Sequence, residues 1–222
     1  VSWAHEISST HDASEYDVVV ASGEQVTAGL MAMAIQALGI PARSWLPWQV
    51  PIITDDLNGG AHIKSIDTKE ILEHLSAGEV AVVPGFQGVG SHGRLTTLGR
   101  GGSDASAVAL AAALDADLCN IYTDVDGVYT SDPRIVTKAR KLDKITYEEM
   151  LEMASLGAKV FQSRAAELAM RHRVVVQVLS SFDNSSGTML VDEDSIVEQK
   201  VVSGIAYSRD EAKITVTGIP DR

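Results

Sequence analysis

Two rhythms of apolar and polar positions run along this chain. Short apolar runs of strand length, among them Val80 to Phe86, Leu118 to Thr123 and Val174 to Leu179, alternate with longer stretches of helical pattern. Thr68 to Ser76 reads as an amphipathic helix closed by Gly78, and Ala105 to Ala116 as an alanine- and leucine-rich helix capped by Ser103 or Asp104. Thr146 and Glu149 have capping-box spacing and start a helix to about Leu156, stopped by Gly157. Another helix is expected over Ala158 to His172. This alternation predicts an α/β domain with a largely parallel sheet.

Other segments complete the pattern. Val18 to Glu24 opens as a strand, and the following residues to Leu38 read as a buried helix ended near Gly39 and Pro41. Ala42 to Trp45 is a short strand, and Val80 to Phe86 a fully buried one. Gly85, Gly88, Gly90, Gly93 and Gly99 then mark an irregular or hairpin segment. Val202 to Tyr207 and Lys213 to Thr217 read as strand–turn–strand. Such a pair is marginal alone, so a further domain is expected to begin there.

Composition narrows the function classes. The 222 residues allow one large domain or two modest lobes, and with 5% aromatic content the core must rest on Ala, Val, Leu and Ile. No apolar run is read as approaching a membrane span, and the N-terminus has no signal-peptide pattern. A formal charge of −12 argues against non-specific nucleic-acid binding but leaves room for a mononucleotide. The single cysteine, Cys119, rules out an internal disulfide, suits a reducing compartment and reads as a buried structural thiol. Six scattered histidines lack metal-ligand spacing, and no metal site is assigned.

The strongest local chemistry lies in Gly99-Arg100-Gly101-Gly102-Ser103-Asp104, a glycine turn that enters a helix. Glycines let backbone amides approach a ligand, a helix N-terminus favours an anion, and Arg100 offers a fork for a carboxylate or phosphate. Asp104 at the same place can hold an ammonium group or position a reacting group. A plain tight turn with a capping residue is the competing reading. Thr123-Asp124 ends a strand, where open α/β sheets bind ligands. The loop beyond offers Tyr129 to flank a base or sugar and Arg134 to reach phosphates. Asp124-Val125-Asp126-Gly127 lacks the later acids of a calcium loop, and Asp126 is compatible with a solvated turn. Gly88-Val89-Gly90-Ser91-His92-Gly93 matches G-x-G-x-x-G by chance, because β-prone residues follow it instead of a helix. Glu24 caps a helix or binds a substrate cation. Lys159, at a helix start where the dipole disfavours cations, is held by an anionic ligand or is a surface lysine.

Five phrases together resemble one family. Ala21 to Thr27 (ASGEQVT), Pro84 to Gly88 (PGFQG), Thr96 to Asp104 (TTLGRGGSD), Tyr122 to Arg134 (YTDVDGVYTSDPR) and Glu149 to Val160 (EMLEMASLGAKV) are similar, in this order, to the aspartate kinases of monofunctional type. The resemblance implies the amino acid kinase fold, a three-layer sandwich with a central mainly parallel sheet. It implies a catalytic domain over 1–200 and the beginning of an ACT-like regulatory region over 201–222. It also implies transfer of the ATP γ-phosphoryl group to the side-chain carboxylate of L-aspartate, the first step toward lysine, threonine and methionine.

Carried over by motif, Glu24, Arg100, Gly101, Gly102, Ser103 and Asp104 would bind aspartate, with Asp104 also organising the reacting groups. Thr123, Asp124, Tyr129, Thr130, Ser131, Asp132, Pro133, Arg134 and Lys159 would bind ATP, with Mg²⁺ carried by the nucleotide. A cytoplasmic homo-oligomer inhibited by lysine or threonine, without nucleic-acid or membrane partners, is the expectation. The family's first strand ends in a Lys-Phe-Gly-Gly-Thr motif that does not occur in these 222 residues, so residues 1–222 alone are expected to be inactive or nearly so. The rival readings are another kinase of the same fold, acting on glutamate, acetylglutamate, carbamate or UMP, and a non-catalytic nucleotide- or amino-acid-sensing module.

Overall fold

The computed structural model describes residues 2–157, 160–195 and 204–205. Its elements are helices and strands in alternation, so the α/β expectation holds. A short helix α1 (Ser2–Ile7) precedes a long one, α2 (Ala13–Ala37). Asp12 begins α2 by accepting hydrogen bonds from the N–H groups of Ser14 and Glu15 at 2.9 and 3.1 Å.

The strand expected from Val18 onward is therefore helix. Small or short residues recur at Asp17, Ala21, Ala28 and Ala32 along one face, and these are the buried positions. Helical spacing outweighs the β preference of three consecutive valines once the cap is in place. Nor is the helix buried all round, since Val18, Val26, Leu30 and Met33 are exposed. A second expectation also fails here. By length and composition α2 is apolar enough to cross a membrane. Polar bonds nevertheless fasten it to the sheets: Gln25 Nε2 donates to Gln87 Oε1 at 2.8 Å, and Gln36 Nε2 to the Ala42 carbonyl at 2.7 Å.

Strands β1 (Ala42–Ser44), β2 (Ile52–Thr54) and β3 (Ile63–Ile66) lead to helix α3 (Lys69–Ser76) and strand β4 (Val80–Val82). Strand β4 pairs in parallel with β1 and is half exposed, not fully buried as its apolar sequence implied. Strands β5 (Gln87–Val89) and β6 (Leu95–Thr97) form an antiparallel hairpin, and together with β2 and β3 make a sheet of order β3-β2-β5-β6. Gly88 to Gly93 thus belongs to a hairpin, one of the two forms the sequence reading allowed, and β6 rather than a helix follows it.

Helix α4 (Gly102–Ala113) follows, then β7 (Cys119–Thr123), β8 (Lys144–Thr146), α5 (Tyr147–Ser155), α6 (Ser163–His172), β9 (Val176–Ser180) and β10 (Thr188–Val191). The last four strands form a sheet of order β7-β9-β10-β8, with β7 and β9 parallel. Its face packs Cys119, Ile121, Val176, Val178 and Leu190 against Val108, Met150, Phe161 and Ala165 to make the main core. The Cys119 thiol is pushed up to about 11 by burial and by the charge of Asp104, in keeping with an inert structural thiol. The capping box forms as read: Thr146 Oγ1 accepts from Glu149 N–H, and Glu149 Oε2 from Thr146 N–H, each at 3.1 Å. Helix α6 begins at Ser163, later than expected. The anticipated strand–turn–strand unit after Val202 lies outside the described residues, apart from 204–205.

Candidate functional site

Leu98, 2% exposed, anchors the glycine turn in the interior. From there Gly102 N–H closes on the Gly99 carbonyl at 3.0 Å, and Ala105 N–H on the Gly101 carbonyl at 3.1 Å, which starts α4. The capping residue is Gly101, at φ 73° and ψ 11°, and not Ser103 or Asp104, which lie in the first turn. With no side chain at the cap, no side-chain oxygen satisfies the first N–H groups of α4. These groups carry the positive end of the helix dipole, which suits an anion. A Cβ on Gly101 would run into the Gln162 side chain, and one on Gly102 into Leu98 and Phe86, so the turn must stay bare.

Phe86 forms the adjacent wall in the left-handed conformation, φ 70°, rare for an aromatic residue. Ser106 Oγ holds it by accepting its N–H at 3.1 Å, while Leu98 N–H donates to its carbonyl at 2.8 Å. Facing it, α2 presents Tyr16 and Val20, and Gly59 closes one side. Together with Gly99 to Ser103 these residues line a cleft of about 400 Å³. Tyr16, Val20, Gly59 and Phe86 were not legible as site residues. Only Phe86 had a signal, its place in the Pro-Gly-Phe-Gln-Gly phrase. A larger open hollow of about 650 Å³ near Trp48 and Glu70 contains none of the residues singled out above.

Arg100 is exposed at the cleft and forms no ion pair among the described residues, leaving its fork available. Glu24 is exposed on α2, four residues beyond Val20 and so on the same helical face, but does not itself line the cleft. It sits within the helix, not between a strand and a helix. Asp104 is half-buried. Burial raises its carboxyl above the ordinary value, and the backbone N–H of Gln162, which donates to it, works the other way.

The residues proposed for the nucleotide gather elsewhere, beyond the end of β7. Thr123 Oγ1 donates to Asp124 at 3.2 Å, and the Thr123 carbonyl accepts from Ser181 N–H at 2.8 Å. Asp126 is no freely solvated turn residue, because Tyr129 Oη donates to it at 3.1 Å and Lys141 Nζ pairs with it at 3.3 Å. Burial and the Asp126 carboxylate push the Tyr129 hydroxyl up. Thr130 is pinned to Arg140 through two hydrogen bonds of 2.9 and 3.0 Å. Ser131 and Asp132 are partly buried, and Pro133 and Arg134 are exposed. Arg134 pairs with Asp132 at 2.8 Å, its side chain 87% exposed, and this pairing holds the Asp132 carboxyl below its usual range. None of these side chains lines the 400 Å³ cleft. Lys159 lies outside the described residues. Among the described residues no three His, Cys, Asp or Glu side chains are grouped to hold a metal.

Residues 2–180 match the amino acid kinase family. Among characterised proteins the chain is 57% identical over 208 residues to an aspartate kinase of Pseudomonas fluorescens, an alignment covering 93% of this chain and 50% of that protein. The chain thus spans about half the length of the curated relatives it matches. The fold superposes on Escherichia coli aspartokinase III in complex with aspartate and ADP (R-state), with a TM-score of 0.77, 34% identity and coverage of 82% of this chain and 42% of that one. The lysine and aspartate complex of the same enzyme (T-state) gives a TM-score of 0.75 at 34% identity, covering 84% and 43%.

Proposed function

This chain belongs to the amino acid kinase family, and from that membership we propose that it forms the catalytic region of an aspartate kinase. The observation that carries the reading is the bare helix N-terminus at Gly101 beside Arg100, which has no ion-pair partner among the described residues, a pairing suited to a carboxylate at the edge of a cleft. Arg100 and the amide of Ser103 take the α-carboxylate of L-aspartate. Glu24, one turn beyond the cleft wall on α2, takes its ammonium group. An oxygen of the side-chain carboxylate attacks the γ-phosphorus of ATP, the bond to the bridging oxygen breaks, and 4-phospho-L-aspartate and ADP result. Mg²⁺ arriving with the nucleotide neutralises charge on the phosphates.

Asp104, half-buried and held by Gln162 N–H, orients the reacting groups. Thr123 and Asp124, at the carboxyl end of β7, and the 129–134 loop with Lys159 receive ATP. Arg134 exchanges its Asp132 partner for phosphate oxygens, a swap its exposure permits. The ADP complex of the Escherichia coli enzyme supports nucleotide use, and its lysine complex supports lysine, with threonine the alternative, as feedback effector. We place the catalytic domain over 1–200 and an ACT-like beginning over 201–222, in a cytoplasmic homo-oligomer.

Coupled detection of ADP from the full-length protein, offered aspartate, glutamate, acetylglutamate, carbamate and UMP, tests the reading. Aspartate should be the preferred acceptor, and preference for acetylglutamate or UMP would overturn it. Arg100→Ala should raise the aspartate KM by roughly ten- to a hundredfold, since a hydrogen bond to a charged group contributes about 1.5–3 kcal/mol. An unchanged KM would remove Arg100 from the site.

A further inference from the structure

Two ionisable side chains near the cleft, Asp17 and Arg164, make no ion pair among the described residues and instead bind the same two segments, 58–61 and 97–98. Asp17, 0% exposed on α2, accepts from Thr97 N–H at 3.0 Å, Thr97 Oγ1 at 2.6 Å, Asn58 Nδ2 at 2.7 Å and Gly59 N–H at 3.2 Å. Arg164, in the first turn of α6, donates from Nη1 to the Leu98 carbonyl at 2.8 Å and from Nη2 to the Ala61 carbonyl at 2.7 Å. The carboxylate thus grips the donors of loop 58–61 and of the strand end at Thr97, and the guanidinium grips the acceptors of the same two segments.

Between these grips Ala61 N–H donates to the Thr97 carbonyl at 2.9 Å, and Gly99 lies so close to the Gly59 carbonyl that a Cβ would meet it at 2.8 Å. The segment held this way ends one residue before Arg100. Burying charge to fix loops that a neutral ladder could pair is costly. Such an arrangement is retained where the position of what the loops carry matters.

We propose that Asp17 and Arg164 are positioning residues which clamp the Thr97–Gly99 strand end from opposite helices and so aim Arg100 and the Ser103 amide at the acceptor carboxylate. This rests on the acceptor-site reading above. The start of α6 then serves both parts of the site, because Arg164 holds the turn while Gln162 N–H holds Asp104. Arg164→Lys keeps the charge but not the planar fork that spans two carbonyls.

In the full-length protein, Arg164→Lys should raise the aspartate KM on the order of tenfold, below the roughly hundredfold that a misplacement of about 1 Å can cause, with the ATP KM and kcat changed less than about twofold. Added to Arg100→Ala, the same substitution should raise the aspartate KM by clearly less than it does in the wild type, because part of its effect runs through the Arg100 contact already lost. A merely structural role would lower the melting temperature with both KM values unchanged, or raise both alike, or add fully to Arg100→Ala. Any of these overturns the clamp. Asp17→Asn reaches the same segment from the other helix and must give the same split, which keeps the test decisive if Arg164→Lys does not accumulate as folded protein. Wild-type protein without aspartate-dependent ADP release would sink the acceptor reading itself, whereas an active wild type with unaltered variants sinks the clamp alone.

Discussion

Replacing Gly101 by alanine probes the geometry at the centre of the site. Gly101 caps α4 at φ 73°, in the left-handed region where a residue with a Cβ is disfavoured by about 1–2 kcal/mol. The new methyl would also lie 2.7 Å from Gln162 Cβ and 3.0 Å from its Cδ, with Cγ closer still. Those atoms are near the base of the side chain, so rotation of its far end gives little relief. Forcing an extra carbon into a packed site costs about 1–3 kcal/mol. Adding the strain of about 1–2 kcal/mol gives roughly 2–5 kcal/mol in all. For a protein of this size, about 2–4 °C of melting temperature is lost per kcal/mol, so the middle of that range is a drop of about 10 °C.

Gly93→Ala is the internal control. Gly93 has φ 71°, but open space surrounds its Cβ position, so it should suffer the left-handed strain alone. Circular dichroism melts of the two variants and wild type separate strain from the Gln162 contact. If Gly101→Ala melts within about 1 °C of Gly93→Ala, the packing of the turn against Gln162 is not what keeps position 101 bare.

Two further outcomes can be checked. Burial raises the Asp104 carboxyl above the ordinary aspartate value, so the folded state holds this proton to higher pH than the unfolded chain does. The penalty for ionising Asp104 is therefore absent at acid pH, appears as pH rises through the folded value and is complete above it. Asp104→Asn should accordingly raise the melting temperature at neutral pH while depressing turnover, and the stability gain should shrink as pH falls toward the carboxylate range. A gain independent of pH would refute this cause. Thr146→Ala removes the capping-box bond that Thr146 Oγ1 accepts from Glu149 N–H, leaving the backbone N–H of residue 146 to donate to Glu149, and should cost about 1 kcal/mol by urea denaturation, with Thr146→Ser close to wild type. A loss below about 0.3 kcal/mol would show the cap to be energetically idle.

Elements whose boundaries are set by neighbouring residues could be read from the chain directly. The α5 start needs only Thr146 and Glu149, three residues apart, and the β5–β6 hairpin needs only its turn glycines and flanking β-prone residues. The glycine turn and Arg100 were legible for the same reason, since glycines and a charged fork are local features, although the cap proved to be the bare Gly101 and not Ser103 or Asp104. The α2 segment was misread because three valines resemble a strand, while the signals that make it helix are the Asp12 cap six residues upstream and a burial stripe set by distant strands.

Everything decided by meeting partners far apart in the chain had to come from three dimensions. Asp17 touches residues up to 80 positions away, and Arg164 one that is 103 positions away. Nothing in a single sequence says which carbonyls a lone arginine will find. Phe86, Tyr16 and Val20 became cleft walls only because α2 packs over the hairpin that carries the turn. Local hydrogen bonds and steric limits write themselves into residue order, whereas contacts between remote segments depend on how whole layers stack. The order of residues therefore announced a glycine turn with a charged fork beside it, and packing determined what surrounds it and holds it in place.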